Sequence, residues 1–310
     1  MKTPVAFFIF NRPDTTQQVF SAIRQAKPSK LLAIADGPRP QVPSDFDNCQ
    51  ATRDLLKQVD WDCQVLTLYS NLNLGCKQRV SSGLDWVFSK VEEAIILEDD
   101  CLPHPSFFLF CEELLDKYRD DKRIWKIDGT NILQKWKSAF QSYHFSNFGA
   151  IWGWASWRRA WQNYDVEMKL WANPEAQNRI RDVIGDRQQY LNRKKVFART
   201  YAGTIDTWDY QWGFARLLNS GLSVVPSVNL VSNIGFTHSA TRTKVDISGV
   251  ANLPCFPMTF PLKEPCGIAV DRDYDKLRYQ KTWQQTLQKK ILRKLTTLRS
   301  QYPLKRSSIP

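Results

Sequence analysis

The sequence predicts an α/β protein, a mostly parallel central sheet flanked by helices. Three observations carry that expectation. The first hundred residues alternate strand-like and helix-like segments four times, the pattern that joins parallel strands through covering helices. The strand-like segments are mostly continuous apolar runs, as expected of strands buried on both faces. Each run stops at a polar loop, so these loops should gather along one edge of the sheet, where such sheets bind ligands.

The elements follow in order. Pro4–Phe10 (PVAFFIF) reads as the first strand, ending at Asn11-Arg12-Pro13. Asp14–Ala26 puts Val19, Ile23 and Ala26 on one helical face, with Asp14 or Thr15 as N-cap. Lys30–Ala35 (KLLAIA) is the second strand and stops at the turn signal Asp36-Gly37-Pro38. A Pro- and Asp-rich loop leads into a helix over Cys49–Val59. Gln64–Tyr69 (QVLTLY) is the third strand, Cys76–Lys90 a helix opened by Gly75, and Glu93–Leu97 the fourth strand, ending at Glu98-Asp99-Asp100. Beyond it are expected a helix at Ser106–Tyr118, a strand at Ile124–Ile127 and an irregular Trp-rich stretch at 143–165. A polar helical region to about Arg199, a helix near Trp208–Ser220, a strand at Leu222–Val225 and a loop at Ser232–Thr243 complete the pattern.

A chain of 310 residues can bury a sizeable core. Its formal net charge of +12 is uneven. Residues 276–310 hold ten Lys or Arg and no acid, which leaves 33 basic and 31 acidic residues in 1–275. The near-neutral main domain argues against tracking of nucleic-acid phosphates. In the tail, Trp283, Leu287, Ile291, Leu295 and Leu298 recur near helical spacing among Lys289, Lys290, Arg293 and Lys294. That reads as a basic amphipathic helix suited to an anionic membrane surface, or else as a solvated tail or partner-binding helix. Seven Cys without a CxxC pair, and three scattered His, do not make a zinc cluster. Reduced thiols fit a cytoplasm. The run Val5–Phe10 is too short for a signal-peptide core, and no segment approaches the ~20 apolar residues of a membrane span. The expected location is cytoplasmic, with peripheral membrane contact through the tail.

The acidic triplet Glu98-Asp99-Asp100 is the first candidate for chemistry. Adjacent carboxylates at a strand end repel one another unless a cation compensates. Mg²⁺ or Mn²⁺ is held by one or two carboxylates together with phosphate oxygens and water, and such a metal stabilises a departing diphosphate. The alternative is a solvated loop. A metal-dependent phosphohydrolase or nuclease, or a non-catalytic binding module, would suit the same carboxylates.

The segment AIILEDDCLPHPSFF resembles the acidic motif of nucleotide-diphospho-sugar glycosyltransferases with the Rossmann-like GT-A fold. It is similar to the N-acetylglucosaminyltransferase I type and to a bacterial glycosyltransferase family 2-like group. The ordered series FNRPD, ADGPR, NLNLGCKQRVSSGLDW, EDDCLP, WGWASWRRAW, IDTWDYQW and VSNIGF extends the resemblance over residues 4–245. It implies a GT-A domain at 1–272, with a nucleotide-binding half (1–104), an acceptor-side half (105–272) and the basic tail at 273–310. It also implies a hexosyl- or N-acetylhexosaminyltransferase of cell-surface polysaccharide or glycolipid synthesis, acting on a glycan or lipid-linked acceptor.

The resemblance carries roles onto particular residues. Asp100 maps to the Mn²⁺ ligand, Asp99 to the residue near the ribose, with Glu98 beside it. Asp36 maps to the base contact, and Arg12 to the basic residue after the first strand, flanked by Phe10 and Asn11. Asp209 of the Trp-Asp motif maps to the general base of an inverting transfer, which takes the acceptor's proton; Asp206 is its rival, and helix capping the alternative for both. Gly75, Lys77 and Arg79 stand where a helix start can meet the diphosphate, Arg79 better placed than Lys77. Asp128 and Asn131 are candidates for the sugar pocket or simple turn residues. Trp154 and Trp208 are candidates for the acceptor side, most Trp of this region being expected in the core. Enzymes of this fold place a late histidine near the metal; the resembling sequences have it where this chain has Arg242. Arg242 then becomes a candidate to neutralise the diphosphate, and His238 a candidate metal ligand.

Overall fold

The apolar runs form strands where the period demands, in a computed structural model that describes residues 1–236 and 250–282. β1 (Val5–Ile9), β2 (Lys30–Ala35), β3 (Gln64–Tyr69) and β4 (Glu93–Glu98) are joined by α1 (Pro13–Ala26), α2 (Ser44–Asp54) and α3 (Gly75–Lys90). Then come β5 (Cys101–Pro103), α4 (Ser106–Lys117), β6 (Ile124–Asp128), β7 (Tyr143–Ser146), β8 (Trp154–Trp157) and the one-turn α5 (Arg158–Trp161). α6 (Pro174–Ile184), α7 (Arg187–Tyr201), α8 (Asp209–Leu218), β9 (Leu222–Pro226) and β10 (Val231–Asn233) follow, and α9 spans 272–282.

Eight strands form the central sheet in the order β3-β2-β1-β4-β8-β6-β9-β7. β1 to β4 are parallel neighbours, and β9 is parallel to β6. β8 is wedged antiparallel between β4 and β6, and β7 closes the far edge antiparallel to β9. The sheet is therefore mostly parallel with helices on both faces. One face buries Val19, Phe20 and Ile23 of α1 and Phe107, Phe110 and Leu114 of α4. The other buries Val80, Leu84 and Val87 of α3 with Trp208, Trp212 and Ala215 around α8. A third cluster, with Ile180, Phe197 and Phe214, packs α6, α7 and α8 together.

Three expectations are corrected here. The stretch 143–165 is not irregular: it supplies β7, β8 and α5. All four residues of β8 (WASW) are buried, so no polar–apolar alternation marks the strand in the sequence. The second helix begins earlier than expected, at Ser44, with Asp45 and Asp47 in its first turn, where the helix dipole favours acids; a 3₁₀ turn over Leu55–Gln58 carries the helical stretch on to near its expected end. The packed chain also continues past residue 272. In α9 Tyr274 is buried and donates to Asn131 Oδ1 (3.3 Å), and the buried Asp275 accepts from the Ser146 hydroxyl and from Asn147 N (3.2 Å). His238, Arg242 and the tail beyond 282 lie outside the described residues.

Candidate active site

The carboxyl ends of β1 to β4 bring Phe10–Arg12, Asp36–Gly37, the 70–75 loop and Glu98–Asp100 to one edge of the sheet, as parallel strands require. Asp99 is the hinge of this edge. Its Oδ2 accepts from Phe10 N (3.1 Å), and its Oδ1 pairs with the Arg12 guanidinium, which also reaches Asp100 Oδ2 at 3.0 Å. The repulsion within the triplet is thus relieved from inside the protein, by Arg12. Burial opposes the guanidinium's charge, but Asp99 and Asp100 more than offset it and hold its pKa above the ordinary value.

Gly235, which the sequence did not single out, lies over this pair. β10 pairs with β5, and Ile234 N donates to Asp100 O (2.8 Å). A Cβ on Gly235 would fall on Asp100 Oδ2 and within 2.7 Å of Arg12 Nη1. Gly235→Ala is therefore expected to push Arg12 away from Asp100 and to destabilise the fold by about 1–3 kcal/mol, as overpacking does. Chemical denaturation reads it; an unchanged midpoint would show that the loop yields freely.

Asp36 is buried at the end of β2 and fully engaged. Oδ1 accepts from Gly37 N (2.9 Å) and Leu74 N (2.9 Å), and Oδ2 from Asn73 Nδ2 (3.1 Å) and Gly75 N (3.0 Å). Burial raises its pKa, partly offset by the bonds from Leu74, Gly37 and Gly75. Its acceptor positions hold the 71–75 loop and leave none for a base, so the expected base contact is replaced by a positioning role. Gly75 takes φ +75°, a left-handed conformation that favours glycine, and starts α3 there. Arg79, one turn in, is buried with its Nε unpartnered; burial lowers its pKa and Asp36 raises it back in part. Lys77 pairs instead with Glu167 at 3.4 Å on the partly exposed helix face. Asn11 donates to Asp45 Oδ1 (2.6 Å), so it too braces the edge.

The triplet splits between the two faces of the sheet, since successive strand side chains alternate. Ile95 and Leu97 lie in the α1–α4 core, and Ala94 and Ile96 in the α3–α8 core. Asp99 accordingly meets Arg12, and Glu98 turns towards α8, whose first residue is Asp209. Glu98 is pushed up to about 8, by burial first, then by Asp100 and Asp99, and further by Asp209. Asp99 is raised by burial, with Arg12 opposing. Asp209 accepts from the Thr207 hydroxyl through Oδ1 and caps no helix; its Oδ2 has no hydrogen bond among the described residues. Asp206 sits on the other side, its Oδ2 3.8 Å from where a Gly75 Cβ would stand.

Four sequence candidates are not in the site. Asp128 is fully buried, paired with Lys126 Nζ at 2.8 Å and accepting from Ala150 N (3.2 Å). Asn131 is fully buried and ties Pro226 O, Leu133 N and Tyr274 together. Trp154 and Trp208 are 1 % and 2 % exposed and stack on each other with ring centroids 5.8 Å apart. These are core residues, because β8 places Trp154 at mid-sheet, beside Ile96 and Asp128. The cleft next to Asp209 is lined instead by Trp152, Tyr210, Arg193 and Arg278. Trp152 lies in the same Trp-rich motif, one turn of chain before β8, and its period gave no sign of which indole would face outward.

No three His, Cys, Asp or Glu side chains converge on one point among the described residues. Asp100 nonetheless keeps an Oδ1 whose one hydrogen bond among the described residues comes from the Cys101 thiol (3.4 Å). The donor set fits a Mg²⁺ or Mn²⁺ held by one carboxylate together with a ligand's phosphates and water, and does not fit an all-protein cage.

No protein-family model matches the chain, and neither does any curated protein. Among solved structures it is similar to the galactosyltransferase LgtC, at 10 % identity over 89 % of this chain and 95 % of that one, with a TM-score of 0.39. It is also similar to a UDP-glucose pyrophosphorylase complexed with UDP-glucose, at 8 % identity over 75 % and 93 %, TM-score 0.37. A third is a putative nucleotide-diphospho-sugar transferase from Desulfovibrio desulfuricans, at 9 % identity over 52 % and 65 %, TM-score 0.28.

Proposed function

We propose that this chain is a metal-assisted glycosyltransferase that moves a sugar from a nucleotide-diphosphate sugar to an acceptor hydroxyl, with inversion. One observation carries the reading. The edge of the parallel sheet sets Arg12, Asp99 and Asp100 on one side and Asp209 on the other, with Glu98 in electrostatic reach of both groups.

The loops after β1 and β2 and the start of α3 form the donor side. Asp36 accepts from Leu74 N and Gly75 N at the start of α3 and so fixes the 71–75 loop at the donor edge. Arg12, held by Asp99, offers a fixed cation to a diphosphate. A bound Mn²⁺ or Mg²⁺, with Asp100 as its protein ligand, would supply charge stabilisation to the departing diphosphate. On the acceptor side, Asp209 takes the proton of the attacking hydroxyl through Oδ2. No helix among the described residues is long and apolar enough to cross a membrane; the basic tail suits a peripheral contact.

A thermal-shift panel of UDP-, GDP- and dTDP-sugars, each with and without Mn²⁺, tests the proposal. Stabilisation by one nucleotide class, greater with Mn²⁺, is expected. No shift with any donor would sink it.

The raised carboxyls also set a pH dependence. The folded state binds protons at Glu98 and Asp99 more tightly than the unfolded chain, so their contribution to stability is full below the ordinary carboxyl range. It is lost as pH rises from 4.5 to about 8. Without metal, Tm should therefore decline between pH 6.5 and 8, above the range in which the buried neutral His144 acts the other way. Mn²⁺ competes with those protons, so its stabilising effect should be larger at pH 8 than at pH 6. A Tm that rises from pH 6.5 to pH 8 without metal would contradict this.

A further inference from the structure

Beside Asp209, away from the donor loops, two confluent clefts of about 330 and 540 Å³ share Phe148, Arg193, Tyr210, Arg278 and Thr282. Among the described residues they are lined by six cations, Lys126, Arg193, Lys195, Arg199, Arg216 and Arg278, and by a single carboxylate, Asp209. In a main domain that is close to neutral, such a concentration is local and built.

The deeper cations are accounted for by the fold. Lys126 pairs with Asp128 at 2.8 Å, and Arg216 donates to Asn147 O (3.3 Å) and Gly221 O (3.1 Å). The outer pair is different. Arg193 of α7 and Arg278 of α9 both approach the Phe148 ring, their guanidinium carbons 5.5 and 5.8 Å from its centroid. Arg278 also donates to Gly149 O (3.0 Å). Neither guanidinium has an ion pair with a carboxylate among the described residues. Burial lowers the pKa of Arg193, and Arg278 lowers it further. Two like charges held around one ring repel, and cation–π contact with the ring recovers only part of that. An anion placed between them would relieve the repulsion and use the planar forks of both groups.

We propose that this cleft is an anion subsite for the acceptor. Arg193 and Arg278 grip a phosphate or carboxylate on the acceptor molecule, and its neighbouring hydroxyl is thereby presented to Asp209. The inference rests on the function proposed above and adds the substrate class: an anionic acceptor such as a sugar phosphate or an acidic sugar. The position excludes the donor's own diphosphate, because the walls are the 147–152 loop, α7, α8 and α9. The donor loops, by contrast, follow β1 to β4. A neutral acceptor would leave the guanidinium pair unmatched, so the subsite also discriminates.

The test is calorimetry with inorganic phosphate and with glucuronate, in the absence of any nucleotide-sugar, on the wild type and on Arg193→Gln, Arg278→Gln and Asn73→Ala. Saturable binding of at least one anion is expected, weakened about tenfold or more in each arginine variant and unchanged in the donor-loop variant. Tighter phosphate binding identifies a phosphorylated acceptor, and tighter glucuronate binding an acidic sugar. Lys195 and Arg199 are exposed on the rim, so the double variant Lys195→Ala/Arg199→Ala tests the same cleft without touching the half-buried Arg193 and Arg278. It should weaken binding about two- to fivefold by loss of rim charge. No anion binding by the wild type, or equal affinity in the wild type and all cleft variants, overturns the proposal. Since no donor is present, this readout fails or succeeds independently of the nucleotide-sugar panel.

Discussion

Asp209→Asn is expected to lower kcat for sugar transfer about 10²- to 10⁴-fold, the usual worth of a general base. Donor KM should be nearly unchanged. The substitution keeps the shape of the side chain, and the Thr207 hydroxyl can still donate to Oδ1. What is lost is the proton acceptor at Oδ2, which has no hydrogen bond among the described residues, and one of the charges that raise Glu98. Folding should therefore be intact or slightly improved, as a melting curve will show. Steady-state transfer assays against an anionic acceptor measure the rest. Asp206→Asn is the useful comparison. Its carboxylate lies beside Gly75 on the donor loop, so it should change donor KM more than kcat. If Asp209→Asn keeps more than a tenth of wild-type kcat while Asp206→Asn does not, the roles are reversed.

Trp154→Ala should cost about 3–5 kcal/mol of stability, the range for deleting a large buried aromatic. The indole is 1 % exposed, stacked on Trp208 and 6.1 Å from the Trp212 ring, with Lys126 Nζ 5.4 Å from its own. Its removal opens a cavity where β8 joins the two parallel parts of the sheet. Urea unfolding should show a lower midpoint with a similar slope. Had Trp154 been an acceptor-stacking residue, the same variant would raise acceptor KM and leave the midpoint alone. Trp152→Ala, at the partly exposed cleft wall, should show that second pattern.

The residues differ in how far their roles could be read in advance. Arg12, Asp36, Asp99, Asp100 and Asp209 were all identified from strand ends and from a motif resemblance, and the structure places all five at one edge or on the cleft beside it. Asp36 was nonetheless assigned the wrong partner. A carboxylate after a parallel strand suits a ligand contact or a loop brace equally well, and only the positions of the Leu74 and Gly75 amides distinguish them. Asp128 and Asn131 failed for a related reason: they too stand at or just past a strand end, that of β6, but β8, β10 and α9 cover that end. Arg193 and Arg278 left no local signal at all. They are 85 residues apart in ordinary polar helices, and their closeness arises from the docking of α9 against Phe148.

What the sequence by itself determined was the alternation of strands and helices in the first hundred residues. With it came the edge at which polar loops must meet, because period and apolarity are local properties that survive any packing. Only the tertiary structure decided three things: the antiparallel wedge of β8, the division of the triplet between Arg12 and Asp209, and the cationic cleft. Each depends on which distant segments share a face, and a sequence read along one dimension does not contain that distance.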